Sequence, residues 1–502
     1  MGDLLLAIDQ GTSGCKMTIF DVMGKVVSSI TKSYETYYPS EGFVEQDTEE
    51  WWQVITEGIS QILSRDNINP EDVKGIGIDG TSWACIPIDK EGDVLSRAMI
   101  WLDRRAEKQA DWMKDVIGED RLISISGNPV DSAYITPKML WLKDNKPEIF
   151  NRTYKFLQSN AYIAYKLTDE ISQDYSQCYG FHYFDIKKGE WNVEIADKLG
   201  LSIDLMAPLM NSHDIVGSVT EKAAKSTGLK VGTPVVAGGL DAACCTLGAG
   251  VINEGQTQEQ GGQAGGMSIA LGKPIIHERL ILGYHVVPDM WLLQGGTTGG
   301  GGTLNWFNRE FGHVEKEEAD KRGSSPFVIM SEEAGKIPPG SDDIIFLPYM
   351  KGERSPLWNS KAKGVYYGLS FDKTRAHMIR STMEGVAYAL NHNLETAKEV
   401  GALVGTLSSV GGSANSSVWT QIKADVTNRT IEVPYSDHAT TLGAAILAGV
   451  GVGIYKDFNE AIEKTVTIQN TYEPNQERVE IYIRNYSKYI KLSNLFVDSL
   501  WS

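Results

Sequence analysis

No apolar run in this chain approaches the roughly 20 residues that cross a bilayer. No basic segment precedes the short apolar run at residues 4–8, so neither a membrane span nor a signal peptide is expected. Cysteine is scarce: Cys15, Cys85, Cys178, Cys244 and Cys245 are an odd number with two adjacent. That argues against a disulfide framework and for a reducing, cytoplasmic compartment. None stands at zinc spacing from a histidine, and the eight histidines are scattered. Positive charge is in deficit, with 47 Lys and Arg against 65 Asp and Glu and a net charge of −18, which disfavours nucleic acid and anionic membranes as partners. A G-x-x-x-x-G-K-[ST] stretch is missing, which speaks against a P-loop. ATP stays open, because backbone amides and a metal can hold phosphates without a basic surface.

What is present is ordinary globular composition, 42% hydrophobic and 22% charged, over 502 residues, enough for at least two domains. The stretch Leu5 to Lys16 carries an apolar run to Asp9, turns through Gln10-Gly11-Thr12-Ser13-Gly14, and returns through Met17 to Phe20. It reads as a β-hairpin whose tip offers a carboxylate, hydroxyls and free amides to a phosphate chain and its magnesium ion. Ile78-Asp79-Gly80-Thr81-Ser82 echoes it and suggests a second strand ending in the same place. The same stretch contains a G-x-G-x-x-G, Gly75 to Gly80. A dinucleotide fingerprint needs a strand before and a helix after, and here strands follow, so that reading is rejected.

Pro234 to Ala243 is the second informative stretch: an apolar strand ends in Gly238-Gly239, and Asp241 follows among small residues. A carboxylate so placed can be approached by a substrate hydroxyl and act as a general base; a helix N-cap is the competing reading, and the two can coexist. Trp83, and Trp101 to Arg105 with Asp103, stand at strand ends where α/β sheets place substrate contacts, with Arg105 expected on a solvated helix face. Glycine-rich turns then recur at Gln260–Ser268, Gly295–Thr303 and Val410–Asn415, as a surface lying close to a nucleotide requires. Helices are expected from Asp47, with Glu50 completing a capping box and Trp52, Ile55, Ile59, Ile62 and Leu63 as core. Further helices are expected over 136–145, 157–167 and 191–199, from Leu304, and over 481–500.

With these stretches in view the chain resembles the FGGY family of carbohydrate kinases over residues 4–455. Gly364-Val365-Tyr366-Tyr367-Gly368-Leu369, then His377 to Gly385, satisfies the family's second signature throughout. Lys351 to Pro356, Gly411-Gly412 through Trp419, Gln421, Ala424-Asp425 and Thr441-Leu442-Gly443 also match, while the first signature matches only from Lys138 to Asn145. The resemblance implies an α/β fold of two actin-like, ribonuclease-H-like ATPase domains with ATP and sugar in a deep interdomain cleft. It implies residues 1–246 as a sugar-binding and catalytic domain, and 247–502 as a nucleotide-binding domain whose last helix packs back. Asp9 would hold magnesium through water, and Thr12 and Ser13 would face the phosphates. Asp241 would take the proton from the sugar hydroxyl. Gly262, Gly300, Gly411, Gly412 and Asn415 would line ATP. The long 260–268 turn departs from the family's short one and shifts phosphate contacts toward Gln263 or nearby amides.

The expected partners are a small-molecule sugar and ATP, with no nucleic acid and no membrane, and a homodimer as the candidate assembly. Ser82-Trp83-Ala84 replaces both the Arg-Glu pair of glycerol kinases and the Met-His of many xylulose kinases, and Ala242 stands where glycerol kinases carry Gln. The overall pattern resembles the xylulose-kinase-like branch. That implies a ketopentose, D-xylulose, phosphorylated on a terminal hydroxyl, with ribulose, a tetritol such as erythritol or another, glycerol-like polyol as alternatives. Two rivals from other classes are a non-catalytic actin-like ATP switch and a nicotinamide-dependent oxidoreductase; the base-like setting of Asp241 favours the kinase.

Overall fold

The apolar run at Leu4–Ile8 is buried on both faces, as a central strand must be. In the computed structural model, which describes residues 2–435 and 438–501, it forms β1 (Leu4–Gln10) and pairs antiparallel with β2 (Gly14–Asp21) across the expected hairpin. β3 (Val26–Ser33) continues the meander, and β4 (Val73–Gly80) adds in parallel on the other side of β1. The sheet is completed by β5 (Ile215–Ser218), β6 (Pro234–Val236) and the short β7 (Gly239–Leu240). Its order is β5-β6-β4-β1-β2-β3, with β7 also on β4.

The chain divides into two units. The first holds Met1–Ile252, Gly272–Leu292 and His438–Thr467; the second holds Asn253–Leu271, Leu293–Asp437 and Ile468–Ser502. Within the second unit the same strand plan recurs. β8 (Thr257–Gly261) and β9 (Gly265–Leu271) form an antiparallel hairpin. β10 (Trp291–Thr297) lies outside β9, and β11 (Leu407–Val410) is parallel to β8. β12 (Ile431–Pro434) and β13 (Ile468–Tyr472) follow in order.

The units are not contiguous in sequence, unlike the single break expected near residue 246. The reason is helix packing. α8 (Ala439–Gly451) lies along β4 and against α4 (Asp241–Gly248), so a segment from the C-terminal half belongs to the first unit. The glycines of the rejected dinucleotide pattern explain that fit. A Cβ at Gly77 would collide with the carbonyl oxygen of Ala444, and one at Gly75 would press on Val452. A Cβ at Gly80 would strike the Ser159 hydroxyl at the start of α3 (Ser159–Thr168).

Several local expectations shift. Asp47 caps α1 (Thr48–Arg65) through the Glu49 N–H, but Glu50 is no capping-box partner: its carboxylate accepts from the Glu35 N–H and the Tyr37 hydroxyl. Trp51 rather than Trp52 is the fully buried indole. α2 spans Ile135–Asn145, α3 starts two residues after the position expected, and the helix after Trp191 covers only Val193–Lys198, because Glu190–Trp191 is a strand. In the second unit α5 is Gly301–Phe311, starting inside the glycine run, α6 is Arg375–Glu399 and α7 is Ser417–Thr427. α9 (Gln476–Ser499) packs on α7 and on strand Ile345–Leu347. All five cysteines are buried and outside any disulfide, and no helix among the described residues is long and apolar enough to cross a membrane.

Gly77→Ala is expected to lower stability by about 1–3 kcal/mol or more, because the obstacle is backbone and cannot rotate away. Thermal denaturation against the native protein checks it; an unchanged midpoint would refute the packing argument.

Candidate active site

Strand register brings the carboxylates together. Asp9 on β1 pairs directly with Asp79 on β4, and Asp79 pairs on its other side with Gly239 on β7. Neighbours in a parallel ladder lie about 4.8 Å apart with side chains on one face. Two residues beyond Gly239 the chain enters α4 at Asp241, whose carboxylate accepts the Ala242 N–H at 2.6 Å. Asp241 thus occupies the first helical position, and Leu240 is the N-cap. Asp9 and Asp241 are half-buried; Asp79 has no exposure at all.

The electrostatics follow from that layering. No N–H or O–H of another residue serves the Asp79 oxygens, which face Asp9. Burial first, then the charges of Asp9 and Asp241, hold Asp79 well above the ordinary carboxylate range. Asp9 is raised by burial and pulled back by its hydrogen bond with Asp79 and by the charge of Lys16. We read the pair as two carboxyl groups sharing one proton. Asp241 is pushed up to about 7, mainly by burial and then by Asp9, with the Ala242 N–H acting the other way. Asp79 is the participant that the sequence indicated only through the Ile-Asp-Gly-Thr-Ser echo.

The hairpin tip is braced by neighbours. Gln10 donates to the Tyr34 hydroxyl at 2.8 Å and accepts from the Thr81 hydroxyl at 3.0 Å, tying the first tip to the echo. Thr12 accepts the Trp101 indole N–H at 3.0 Å on its hydroxyl and the Gln46 amide at 2.7 Å on its carbonyl, while Ser13 is exposed.

Trp83 follows the echo with a left-handed backbone, φ 57°, a conformation that a bulky residue adopts only when its surroundings impose it. Its ring stacks on Tyr134 at 4.1 Å, and its indole N–H is buried without an acceptor. Lys138, fully buried on α2, donates to the carbonyls of Trp83 (2.9 Å) and Ile100 (2.7 Å), joining the two aromatic strand ends. Desolvation lowers Lys138 to about 7. Asp103 and Arg105 depart from expectation. Asp103 is completely buried and accepts from the Val44 N–H at 2.7 Å and from Arg105, so it supports the loop and is closed to a substrate. Arg105 is not on a solvated helix face: its side chain is 4% exposed, paired with Asp103 and Glu45 and lying over Phe43.

In the second unit a cavity of about 340 Å³ is lined by Gly262, Gln263 and Gly412. Leu304, Phe327 and Trp419 give it apolar walls. Gly411 (φ 91°) and Gly300 stand behind the rim, where a Cβ would meet the backbone of Gly261 and Ala264 respectively; Asn415 is exposed at the end of the same short turn as Gly412. The Gly301 and Gly302 N–H groups, at the start of α5, are already bonded to the carbonyls of Gly262 (2.7 Å) and Gln263 (3.0 Å). That interlock joins two of the three glycine-rich turns.

The N-terminal domain model of the FGGY family of carbohydrate kinases matches residues 4–248, and the C-terminal domain model matches residues 273–452. The chain belongs to the FGGY family of carbohydrate kinases. A xylulose kinase of Staphylococcus epidermidis is 31% identical over 489 residues, 97% of this chain and 96% of that protein. A gluconokinase of Bacillus subtilis is 28% identical over 498 residues, 99% of this chain and 96% of that protein. The crystal structure of ligand-bound xylulose kinase from Lactobacillus acidophilus shares the fold with a TM-score of 0.90, covering 99% of each chain at 23% identity.

In this carbohydrate kinase the second signature is structural. Arg380 pairs with Glu384 at 2.8 Å inside α6 and donates to the Tyr482 hydroxyl of α9 at 2.7 Å. Glu384 also accepts the Gly340 N–H at 2.9 Å. Asp425 of α7 accepts the Asn475 N–H at 2.8 Å, fixing where α9 begins.

Because the folded-state value of Asp241 lies above its ordinary 3.8, its burial costs stability that grows as pH rises from about 4, is complete above about 7, and vanishes below about 4. Asp241→Asn is therefore expected to raise the melting midpoint at pH 8 and to move it much less at pH 4. Equal shifts at both pH values would refute the assignment.

Proposed function

We propose that this carbohydrate kinase transfers the γ-phosphoryl group of ATP to a terminal hydroxyl of a ketopentose, D-xylulose. The observation that carries the chemistry is Asp241: a partly exposed residue, its carboxyl raised to about 7, at a helix start among small residues and near enough to Asp9 to feel its charge. The Staphylococcus epidermidis relative, named a xylulose kinase, supports the sugar. Gluconate, suggested by the Bacillus subtilis relative, is an anion and needs a cation. The buried cations beside Trp83 and Trp101 are both spent, Lys138 on backbone carbonyls and Arg105 on Asp103 and Glu45.

In this reading Asp241 accepts the hydroxyl proton as the sugar oxygen bonds to the γ-phosphorus and ADP leaves. The transition state is loose, so the protein's contribution is alignment and exclusion of water. Trp83, partly exposed at the strand end and backed by the buried Tyr134, provides an aromatic surface for the sugar. Gly262, Gln263, Gly300, Gly411, Gly412 and Asn415 line or support the nucleotide site, with adenine against the apolar walls of the 340 Å³ cavity. Among the described residues no three His, Cys, Asp or Glu are grouped to hold a metal by themselves. An accessible carboxylate at Asp9 nevertheless fits Mg²⁺, which keeps several waters and takes phosphate oxygens as ligands. Asp9 would hold it through water, with Thr12 and Ser13 toward the phosphates; bound there, the ion supplies charge neutralisation. Cysteines buried outside any disulfide support a cytoplasmic setting.

Asp241→Ala is expected to lower turnover about 10²–10⁴-fold with ATP affinity nearly unchanged. Retained turnover would remove Asp241 as the base. In the native enzyme kcat/KM for the sugar should fall as pH drops through about 7, because only ionised Asp241 accepts a proton. Trp83→Ala should raise KM for the sugar more than KM for ATP. A panel of D-xylulose, ribulose, erythritol, glycerol and gluconate in a coupled ADP assay tests the substrate, and a clear preference for any other member would overturn D-xylulose.

A further inference from the structure

Two residues before Gly261, Glu259 turns its carboxylate into the interior of the second unit and meets Lys423 of α7 at 2.8 Å. Their side chains are 4% and 1% exposed. Lys423 also donates to the Ser413 hydroxyl at 2.7 Å and lies 5.5 Å from the ring centre of Trp419. The other oxygen of Glu259 accepts from the Ser409 hydroxyl on β11. One ion pair thereby reaches β8, β11, the short turn Gly412–Asn415 and α7.

The turns beside two of those elements line the 340 Å³ cavity and touch one another: Gly261 to Gln263 after β8, and Gly412-Ser413 before α7. The contact beneath them has no slack. A Cβ at Gly261 would overlap the Ser413 hydroxyl and stand 3.1 Å from the Lys423 ammonium nitrogen. Stability alone is a weak reason for such a pair. Desolvating two charges costs as much as their attraction returns, and apolar replacements of similar volume are often neutral or stabilising. Directional bonds to four elements do what an apolar cluster cannot, which is to define one spacing of the walls.

We infer that Glu259 and Lys423 are positioning residues for ATP: their buried ion pair sets the separation and register of the two turns that grip the nucleotide. This rests on the reading of the cavity as the nucleotide site. The pair touches no residue assigned to the sugar or to proton transfer, so its loss acts through nucleotide binding.

The experiment uses the full-length enzyme. ADP is first titrated into the native protein by calorimetry, with hydrogen exchange followed at residues 261–263 and 412–416. Protection there supports the cavity reading; protection confined to other segments overturns that reading and this inference with it. Three variants are then compared: Lys423→Met, Glu259→Gln, and the apolar pair Glu259→Leu with Lys423→Met. Each is expected to weaken ADP binding and raise KM for ATP roughly ten- to a hundredfold, the scale of a displacement near 1 Å, with KM for the sugar unchanged. The apolar pair is expected to melt at or above the native temperature while its ADP binding stays weakened. Should the single variants fail to fold, the apolar pair decides alone. If it folds and binds ADP as the native enzyme does, the ion pair is structural only and the inference fails.

Discussion

The first unit is organised around carboxylates that cannot all be ionised where they stand. Parallel pairing of β1 with β4 sets Asp9 beside Asp79, and β7 brings Asp241 to the same end of the sheet. Dispersing that charge would be easy on a surface and is hard here, because Asp79 is wholly enclosed and Asp9 and Asp241 are partly buried. Burial and the neighbouring charges of Asp9 and Asp241 hold Asp79 well above the ordinary carboxylate range, and burial with the charge of Asp9 pushes Asp241 up to about 7. General-base work needs a carboxylate in that condition, at a cost in stability that the apolar strands around it offset.

Much of the remaining polar interior positions backbone and leaves the chemistry to others. Lys138 gathers carbonyls from two strand ends, Arg105 and Asp103 lock a loop, and Arg380 and Glu384 pin a long helix to the last one. Each is a charge satisfied by several partners, which is how a buried charge becomes tolerable. The stretches that mark the family therefore mix two kinds of residue, those that face a ligand and those that hold the first kind in place.

The hairpin, the strand after the first helix, the turn before Asp241 and the glycine-rich rims were legible because each depends on neighbours in sequence: alternation, a cap, a run of small residues. Helix starts slipped where glycine runs entered helices, as at Gly301, or where a short strand took Trp191. Arg105 was misread because a charged residue after a strand normally meets solvent, and nothing local announces that Glu45 and Asp103 will enclose it. The apolar walls given by Leu304, Phe327 and Trp419 carry no signal distinguishing a cavity from a core.

The sequence by itself determined the class of chemistry through its resemblance to a family, carried most sharply by Gly364 to Gly385, and it pointed to Asp9, Asp241 and the glycine turns as candidates. Only the tertiary structure decided which carboxylate would be enclosed and which open, why Gly77 had to be glycine, and that residues 438–467 join the first unit. Those outcomes depend on register between distant strands and on backbone approaching backbone, and neither leaves a mark on the residues nearby.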